Sequence, residues 1–426
     1  MAKDLKYAPI RAFILIYIVL IVIGFVALLL PGAATRPLTN IESLFTCISA
    51  ITLTGLQVCN FADIFTFQGQ LIVLILIECG SITIISFSLY FGWLLGKAHL
   101  FTDSVDLLKT EISPLNAYLK ILRKTVIYLL FFELVCSGIL YAFWTGVDIH
   151  FSVAEKLKYA FFHGISVFCH SGFSNLEGNF SNPHVSHSYL LLLALTGVIV
   201  LGSIGYAAMF DLISIKRLRE RMLDPHKNWT LQTRVALYST VILIAGGSII
   251  WFIMERNHAL KGQKLVEAAF TAIFNVTGAR SAGFYSVPVS MVGYWIMILY
   301  MLLMVIGSST SSPGGGIKTS MFYKIGKSPS NLSNLNSFGI FAAGVIIVSI
   351  LALYFTNPLF SLRSIKFEMI SAFTNTGLSY GITPTLSAAG KYILMADMIL
   401  GRLGFPILMY LYLKRKPGVR EDVLLS

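Results

Sequence analysis

The sequence predicts an all-α integral membrane protein in which one unit, a helix, a short pore half-helix and a second helix, occurs four times around a pseudo-fourfold pore. Three observations predict this architecture: the composition, the spacing of apolar stretches, and a glycine motif that recurs in register. Apolar residues make up 56% of the 426 residues and charged residues 12%, whereas soluble domains carry about 25% charged residues. Lipid must therefore solvate much of the outer surface.

Eight long apolar stretches alternate with four shorter ones. The long stretches approach or exceed the length of a spanning helix, about 20 residues, and they lie near 12–30, 71–95, 125–144, 188–210, 235–254, 291–306, 338–356 and 392–413. The shorter stretches end in Gly, Ser, Thr and Asn, and they lie at 41–58, 154–173, 266–284 and 367–380. Irregular backbone is tolerated at membrane depth only where it lines protein or water. We therefore predict eight transmembrane helices and four re-entrant P-loops. The stretch 12–30 is longer than a signal-peptide core and is interpreted as the first span.

The positive charges predict an orientation. The net charge is +12, but the basic residues stand in short clusters between apolar runs without interleaved aromatic residues, which argues against nucleic-acid binding. Of the 32 Lys and Arg, 21 lie in the N-terminus, the loops 97–124 and 211–235, the segment 318–327 and the C-terminal tail. The positive-inside rule then places both termini in the cytoplasm of a multi-pass cell-membrane protein. The five cysteines have spacings that predict neither disulfides nor a zinc site.

A glycine motif aligns the four short stretches without gaps. It is centred on Gly55, Gly172, Gly283 and Gly377. A hydroxyl residue precedes each glycine by six positions, and these are Ser49, Ser166, Thr277 and Ser371. Small residues precede the glycines directly and large apolar residues follow them. An internal repeat sets the architecture, and we predict repeats at 1–96, 97–215, 216–328 and 329–426.

Four such strands around one axis would suit a dehydrated monovalent cation. Glycine adopts backbone conformations that other residues resist, and converging carbonyl oxygens can replace part of a cation's water shell. One cluster of this kind would be an ordinary turn more often than not, but four in register favour a pore. The predicted ion-binding residues, acting mainly through the backbone, are Thr52, Leu53, Thr54, Gly55, Cys169, His170, Ser171, Gly172, Arg280, Ser281, Ala282, Gly283, Thr374, Asn375, Thr376 and Gly377. We expect the aligned hydroxyls to pack behind these strands.

The motifs resemble those of the Trk/Ktr/HKT superfamily of potassium transporters. The segment 280–284 reads R-S-A-G-F, which is similar to the family's R-T-A-G-F, and 168–174 reads F-C-H-S-G-F-S, which is similar to its F-C-N-A-G-F-S. The segment 371–379 matches S-A-F-x-x-x-G-L-S. The resemblance is strongest to the Ktr-type membrane subunit. It implies potassium uptake, with K⁺ at the filter, sodium dependence left open and no organic cofactor. In this family a serine at the first filter glycine accompanies sodium selectivity, so Gly55 favours potassium. The alternative is a sodium-permeable or weakly selective cation pathway of the same fold.

The sixth apolar stretch is interrupted by a segment rich in glycine and serine. Gly and Pro disfavour a continuous helix, and the spacing does not match a nucleotide-binding P-loop. An exposed cytoplasmic loop is one interpretation. The segment also resembles the family's G-G-S-x-G-S-T-G-G-G-I-K-T, which implies an intramembrane gate. The predicted gate residues are Gly307, Ser308, Ser309, Thr310, Ser311, Ser312, Pro313, Gly314, Gly315, Gly316, Lys318 and Arg402.

Arg402 lies within the last apolar stretch, where burying a charge costs about 2.5–3.5 kcal/mol. The stretch Gly401–Gly404 resembles the family's G-R-x-G, whose arginine lies under the filter. Two roles for Arg402 remain open, an electrostatic limit on ion passage and a structural link to loop carbonyls, and the two can coexist. For Glu78 and Asp397, the sequence leaves open cation attraction, neutralisation of an arginine, or a helix–helix hydrogen bond. For His170, it leaves open a structural donor or a pH sensor.

The resemblance also implies partners. Ktr-type subunits form homodimers on a cytoplasmic ring of nucleotide-binding RCK subunits. The basic loops 97–124 and 211–235 and the tail 414–416 could dock such a ring, although anionic membrane lipid explains the same charges equally well. An enzyme is not predicted, since His163 and His170 lack a spaced carboxylate. An alternating-access carrier with inverted repeats is disfavoured because the four units run in the same orientation.

Overall fold

The computed structural model describes residues 8–94, 114–144, 147, 152–224, 229–309, 311–319 and 329–415. These residues form α-helices, short 3-10 helices and connecting segments. In chain order the α-helices are α1 (Ala8–Leu29), α2 (Asn40–Ile51), α3 (Phe61–Ile64), α4 (Phe67–Leu94), α5 (Pro114–Trp144), α6 (Val153–Phe168), α7 (Pro183–Ser186), α8 (Tyr189–Ile204), α9 (Tyr206–Ile213), α10 (Ile215–Leu223), α11 (Leu231–Glu255), α12 (Leu265–Ala279), α13 (Tyr294–Val305), α14 (Pro329–Thr356), α15 (Leu362–Phe373) and α16 (Ala388–Arg415). The 3-10 helices are Asn179–Ser181, Val289–Met291 and Thr383–Thr385.

Within the described residues, four helices are long and apolar enough to cross a membrane. They are Phe67–Leu89, Leu122–Trp144, Leu231–Glu255 and Gly339–Thr356. Their outward faces expose large aliphatic side chains, such as Leu134 at 68% and Ile242 at 68%. Side chains of this kind are stable in lipid rather than in water. The apolar helices Phe13–Leu29 and Tyr294–Val305 are shorter.

The predicted span 188–210 is not one straight helix. Helices α8 and α9 meet at an angle of 103° and form a bent pair that could cross the membrane as a broken span. Gly205 lies at the break with φ of 84°, a left-handed conformation that favours glycine. Because a side chain would strain this conformation, glycine at this position permits the break.

Three of the four short helices, α2, α6 and α15, begin at side-chain caps, whereas Lys264 precedes α12 without a side-chain capping bond. Thr39 and Ser152 cap α2 and α6 in capping boxes with Glu42 and Glu155, three residues further on. Arg36 donates two hydrogen bonds to the Glu42 carboxylate. Arg36, helped by hydrogen bonds from Thr39 and opposed by burial, lowers the pKa of Glu42 to about 2. The cap of α2 is therefore ionised at any ordinary pH.

Glycines in the long helices allow close packing on the ends of short helices. A Cβ atom on Gly80 of α4 would collide with the carbonyl oxygen of Ile51, the last residue of α2. Gly202 of α8 lies in the same way against the Phe168 carbonyl at the end of α6, and Gly401 of α16 against the Phe373 carbonyl at the end of α15. These contacts fix where each short helix ends relative to the helix behind it.

Candidate functional site

The strands that follow the four short helices meet at their motif glycines. Gly55, Gly172, Gly283 and Gly377 all have positive φ, at 87°, 73°, 78° and 87°. We call these four residues the glycine ring. A Cβ atom on Gly55 would lie 2.6 Å from the Gly172 Cα, and one on Gly283 would lie 3.0 Å from the same atom. A Cβ atom on Gly377 would lie 3.1 Å from the Gly55 Cα. There is no room for a side chain at the ring.

Four carbonyl oxygens converge on the glycine ring. Each belongs to the residue that precedes a ring glycine, and they are those of Thr54, Ser171, Ala282 and Thr376. The Ser171 oxygen lies 2.5 Å from the Cβ position of Gly55, and the Thr54 and Ala282 oxygens lie 3.1 and 3.6 Å from that of Gly172. Converging carbonyl oxygens of this kind can coordinate a dehydrated monovalent cation.

The four strands also share a backbone conformation at the position two residues before each glycine. Leu53, His170, Ser281 and Asn375 have φ between 51° and 65°. Residues other than glycine seldom adopt this left-handed conformation. All four are buried, so packing against the surrounding helices holds them in it.

The motif hydroxyls lie behind the strands, and three of the four bond to them. Ser49 accepts a hydrogen bond from the Gly55 amide and donates one to the Leu56 carbonyl. Ser371 accepts from the Gly377 amide, and Ser166 donates to the Phe173 carbonyl. Thr277 differs because its hydroxyl donates to Ile273 in its own helix, 2.7 Å away. The third strand is instead linked to its helix by a hydrogen bond from the Gly283 amide to the Gly278 carbonyl.

Side chains link neighbouring strands. The Asn375 amide donates to the Thr54 hydroxyl and to the Met398 carbonyl, each at 2.9 Å. The two ring nitrogens of His170 lie 3.1 Å from the Ser281 carbonyl oxygen and 3.0 Å from the Ile199 carbonyl oxygen. A neutral imidazole can donate to only one of these acceptors. His170 is therefore placed to act as a structural hydrogen-bond donor, which is one of the two roles that the sequence leaves open.

Two other predicted residues direct their side chains away from the ring. Arg280 is 2% exposed and donates to the Thr240 hydroxyl of α11, 2.7 Å away. Cys169 lies with its Sγ 3.1 Å from a carboxylate oxygen of Glu133 in α5. At the ring itself these two positions can act only through their backbone.

A cavity of about 320 Å³ opens on one side of the glycine ring. Gly55, Gly172 and Gly377 form part of its floor, and polar side chains such as Gln57 and Asn60 line its walls. Neutral polar groups can solvate a cation without holding it tightly. The cavity could therefore serve as an entry vestibule in which a cation is partly hydrated before it reaches the ring.

The glycine- and serine-rich segment packs against the opposite side of the strands. We call residues 307–316 the inner loop; Thr310 lies outside the described residues. Gly315 abuts the Thr374 carbonyl so closely that a Cβ atom could not be accommodated, and its own carbonyl accepts from the Ser281 hydroxyl at 3.2 Å. A Cβ atom on Gly314 would lie 3.3 Å from the His170 ring. The inner loop thus lies directly beneath the strands.

Two cations hold the inner loop, the partly buried Lys318 and the buried Arg402. Lys318 Nζ donates to the Gly314 carbonyl at 2.6 Å and to the Ser312 carbonyl at 3.1 Å. Arg402, 8% exposed, donates to the Pro313 carbonyl at 2.6 Å. The structural link between Arg402 and a loop carbonyl is therefore present, and the positive charges at this end can also oppose a passing cation.

The inner loop is also bonded to the break between α8 and α9. The Tyr206 amide donates to the Ser311 carbonyl, and the Ser309 amide donates to the Ser203 carbonyl, both at 3.0 Å. The Ser309 hydroxyl donates to the Ile204 carbonyl at 2.6 Å. The sequence did not predict this connection. Its only signal is the pair Gly202 and Gly205 inside the fourth apolar stretch.

The intramembrane carboxylates have separate environments. Asp397 accepts from the Ser349 hydroxyl at 2.8 Å, which joins α16 to α14. Glu78 lies near Glu133, a residue that the sequence analysis did not single out. Glu368, fully buried in α15, accepts from Thr383 at 2.8 Å and from Ser379. The helix–helix hydrogen bond left open for Asp397 is thus present.

Comparison with known families gives one matching model. The chain matches the TrkH model, described as a cation transport protein, over residues 7–331 and 332–416.

Curated relatives match along almost the whole chain. The Ktr system potassium uptake protein D of Bacillus subtilis is 28% identical over 95% of this chain and 93% of its own length. The potassium/sodium uptake protein NtpJ of Enterococcus hirae is also 28% identical, over 95% of this chain and 93% of its own length.

Among solved structures, the potassium transporter TrkH from Vibrio parahaemolyticus superposes with a TM-score of 0.73. The match covers 95% of this chain and 84% of that chain at 16% sequence identity. The likeness shows that the two proteins share an all-helical fold.

Proposed function

Because the chain belongs to the TrkH family of cation transport proteins, we propose that it takes up potassium across the cell membrane through the glycine ring. The predicted resemblance to the Trk and Ktr proteins is confirmed by the family match and by relatives at 28% identity. The family consists of cation transporters, so the prediction that the chain is not an enzyme is confirmed as well.

The observation that carries the proposal is the convergence of four carbonyl oxygens at four left-handed glycines. In this proposal the predicted filter residues coordinate K⁺ through their backbone, with the side chains of Asn375 and His170 holding the strands together. The units 1–96, 97–215, 216–328 and 329–426 are then four repeats with eight spans and four P-loops around one pseudo-fourfold axis. Both termini lie in the cytoplasm.

A specific observation favours a second candidate, a pathway that also admits sodium. One relative is a potassium/sodium uptake protein, and its identity to this chain equals that of a potassium uptake protein. A potassium preference is supported by glycine at position 55, where a serine would accompany sodium selectivity. Sodium coupling is part of this second candidate.

The test is rubidium influx with potassium and sodium as competitors, in cells producing the parent or Gly55→Ser. The serine Cβ would lie 2.5 Å from the Ser171 carbonyl oxygen and 2.6 Å from the Gly172 Cα, so the first two strands must separate. We expect potassium to compete better in the parent, and the substitution to reduce that preference about tenfold, which corresponds to about 1.4 kcal/mol.

Gly344→Ser is the matched control, because no heavy atom of the described structure lies within 4 Å of a Cβ there. Equal competition by the two ions in both the parent and Gly55→Ser would remove the filter assignment. If sodium inhibits rubidium influx of the parent more strongly than potassium does, the second candidate is favoured.

We further propose that the inner loop is the gate. Its support is position and charge: the loop packs beneath the strands, and Lys318 and Arg402 hold its carbonyls. Movement of the loop would open a path below the ring and carry positive charge away from it. Thr310 belongs to this gate in the proposal.

The regulatory partners are proposed by family likeness alone. A homodimer, with cytoplasmic nucleotide-binding RCK subunits docked on the basic loops, fits a chain similar to Ktr system proteins. The loop 97–124 lies largely outside the described residues, as does Lys416 of the tail. Anionic lipid remains the competing partner for these charges.

A further inference from the structure

Two carboxylates and a thiol meet behind the second strand of the ring. Glu78 comes from α4, Glu133 from α5, and Cys169 follows the last residue of α6. One ligand atom from each lies within 4.8 Å of the other two. Glu133 is 2% exposed, Cys169 is fully buried and Glu78 is half-buried. We call these three residues the carboxylate–thiol cluster.

Neither carboxylate of the cluster forms a salt bridge with a side chain that the structure describes, although the charge of Arg402 acts on Cys169. Both carboxylate oxygens of Glu78 and one of Glu133 are buried without a hydrogen-bond partner there. The other Glu133 oxygen accepts a hydrogen bond from the Cys169 thiol, 3.1 Å away, and the Glu133 and Glu78 carboxyl groups lie within interaction range of each other. Two unpaired carboxylates at membrane depth are strongly destabilising. The arrangement therefore calls for positive charge at this point, in the form of a proton shared by the carboxylates or of a bound cation.

We propose that Glu78, Glu133 and Cys169 bind a divalent cation of the zinc class, distinct from the transported ion. Thiolate and carboxylate together form a ligand set for Zn²⁺, whereas Mg²⁺ and Ca²⁺ prefer oxygen ligands alone. Binding displaces the thiol proton of Cys169 and the proton shared by the two carboxylates, both of which leave to solvent, and the metal then bonds to sulfur and to an oxygen of each carboxylate.

The spacing suits this coordination. With metal–oxygen bonds of about 2.1 Å and a metal–sulfur bond of about 2.3 Å, ligand atoms on a tetrahedral centre lie about 3.4–3.6 Å apart. The three atoms need to contract by about 1.4 Å at most, and the sulfur–oxygen pair at 3.1 Å is already close enough. The fourth position remains for a water molecule.

The site would act on the second strand of the ring. The side chain of Cys169 belongs to the cluster, and its backbone leads directly to His170, whose φ is 57°, and on to Gly172. Coordination would therefore fix the start of this strand against α4 and α5. We expect a bound metal to lower ion flux, and this second half of the proposal rests on the proposed function of the ring.

The binding test uses the purified full-length chain in detergent with a reducing agent, titrated with Co²⁺. Thiolate ligation to Co²⁺ gives a charge-transfer absorption band. We expect one Co²⁺ per chain with this band, displaced by Zn²⁺. We further expect Cys169→Ser to abolish the band, and Glu78→Gln and Glu133→Gln to weaken binding at least about tenfold.

Two controls match the variants. Cys136→Ser removes a buried thiol of the same helix as Glu133, and Glu368→Gln alters a buried carboxylate outside the cluster; both should bind as the parent does. A parent that binds no Co²⁺, or a band that persists in Cys169→Ser, would overturn the site, and a proton shared by the two carboxylates would then take its place. Size-exclusion profiles identify variants that do not fold. If Cys169→Ser does not fold, the Co²⁺ affinities of Glu78→Gln and Glu133→Gln decide whether the site exists.

The flux test measures rubidium influx with Cd²⁺ as the added metal. The parent should lose flux as the site fills, and Glu78→Gln should be inhibited only at a concentration about tenfold or more higher. If Cd²⁺ binds to the parent and rubidium influx does not change, the proposed coupling between the metal site and the second strand is overturned. Because Co²⁺ binding is measured without transport, its failure is distinguishable from failure of the proposed function.

Discussion

At the scale of single residues, the strands depend on conformations that their side chains disfavour. Leu53, His170, Ser281 and Asn375 have positive φ although none is glycine. Such residues cost of order 1 kcal/mol or more each and persist only where surrounding contacts impose them. The sequence could predict left-handed backbone at the motif glycines but not two positions before them, because no residue type there signals it.

The charge on Lys318 gives the residue-scale prediction. Its ammonium group donates to the Gly314 and Ser312 carbonyls, so Lys318→Met leaves the inner loop without these bonds and removes a cation beneath the ring. Hydrogen bonds to charged groups contribute about 1.5–3 kcal/mol. If about 1 kcal/mol of this favours the closed loop, rubidium influx should rise about fivefold.

The control for Lys318→Met is Lys366→Met, which removes an exposed cation from the short helix α15. Flux at the parental level in a folded Lys318→Met protein would count against the inner loop as a gate.

At the scale of helices, the packing of long helices on short ones relies on glycines that the motif analysis did not use. Gly80, Gly202 and Gly401 each lie against the carbonyl oxygen four residues before a ring glycine. An isolated glycine in an apolar stretch has many possible reasons, and only the structure identifies its partner. These glycines set the distance between each strand and the helix behind it.

A matched pair in α8 tests this packing. In Gly202→Ala the new methyl group would collide with the Phe168 carbonyl oxygen and lie 2.9 Å from the His170 ring. We expect lower thermal stability in detergent, because overpacking costs about 1–3 kcal/mol, and weaker potassium preference in rubidium influx. Gly197→Ala in the same helix meets no described atom within 4 Å and should be neutral or slightly stabilising. Equal melting temperatures for the two variants would contradict the packing role.

The sequence predicted the positions of the four short helices well and the side-chain contacts poorly, for physical reasons. Apolar length and terminal glycines located the short helices to within a few residues, because burial in lipid and left-handed backbone restrict composition strongly. The proximity of Glu78 to Glu133 was not predictable, since Glu133 lies 55 residues away on another helix and no periodic pattern joins them. The same is true of the bonds between Ser309 and the bend at Gly205.

At the scale of the whole molecule, contacts between distant segments close the ring. Asn375 bonds to Thr54 across 321 residues, and His170 contacts the Ser281 carbonyl across 111. The first and last of the predicted repeats thereby become neighbours. A neutral polar cavity lies on one side of the ring, and the loop held by Lys318 and Arg402 lies on the other. This asymmetry makes the orientation of the whole chain in the membrane measurable.

Cys59 provides that measurement, because it is partly buried and lines the cavity. Cys79 is also partly buried but is not among the residues that line the cavity, and Cys47, Cys136 and Cys169 are buried. A membrane-impermeant, positively charged thiol reagent should block rubidium influx when added outside and have no effect when confined to the inside. Burial, aided by the charge of Glu42, raises the pKa of Cys59 to about 11. Since the thiolate is the reactive form, the block should develop about tenfold faster for each pH unit between 7 and 9. Cys59→Ser should abolish the block. Inhibition from the inside alone would reverse the orientation inferred from the positive charges, and inhibition that persists in Cys59→Ser would assign the reaction to another thiol.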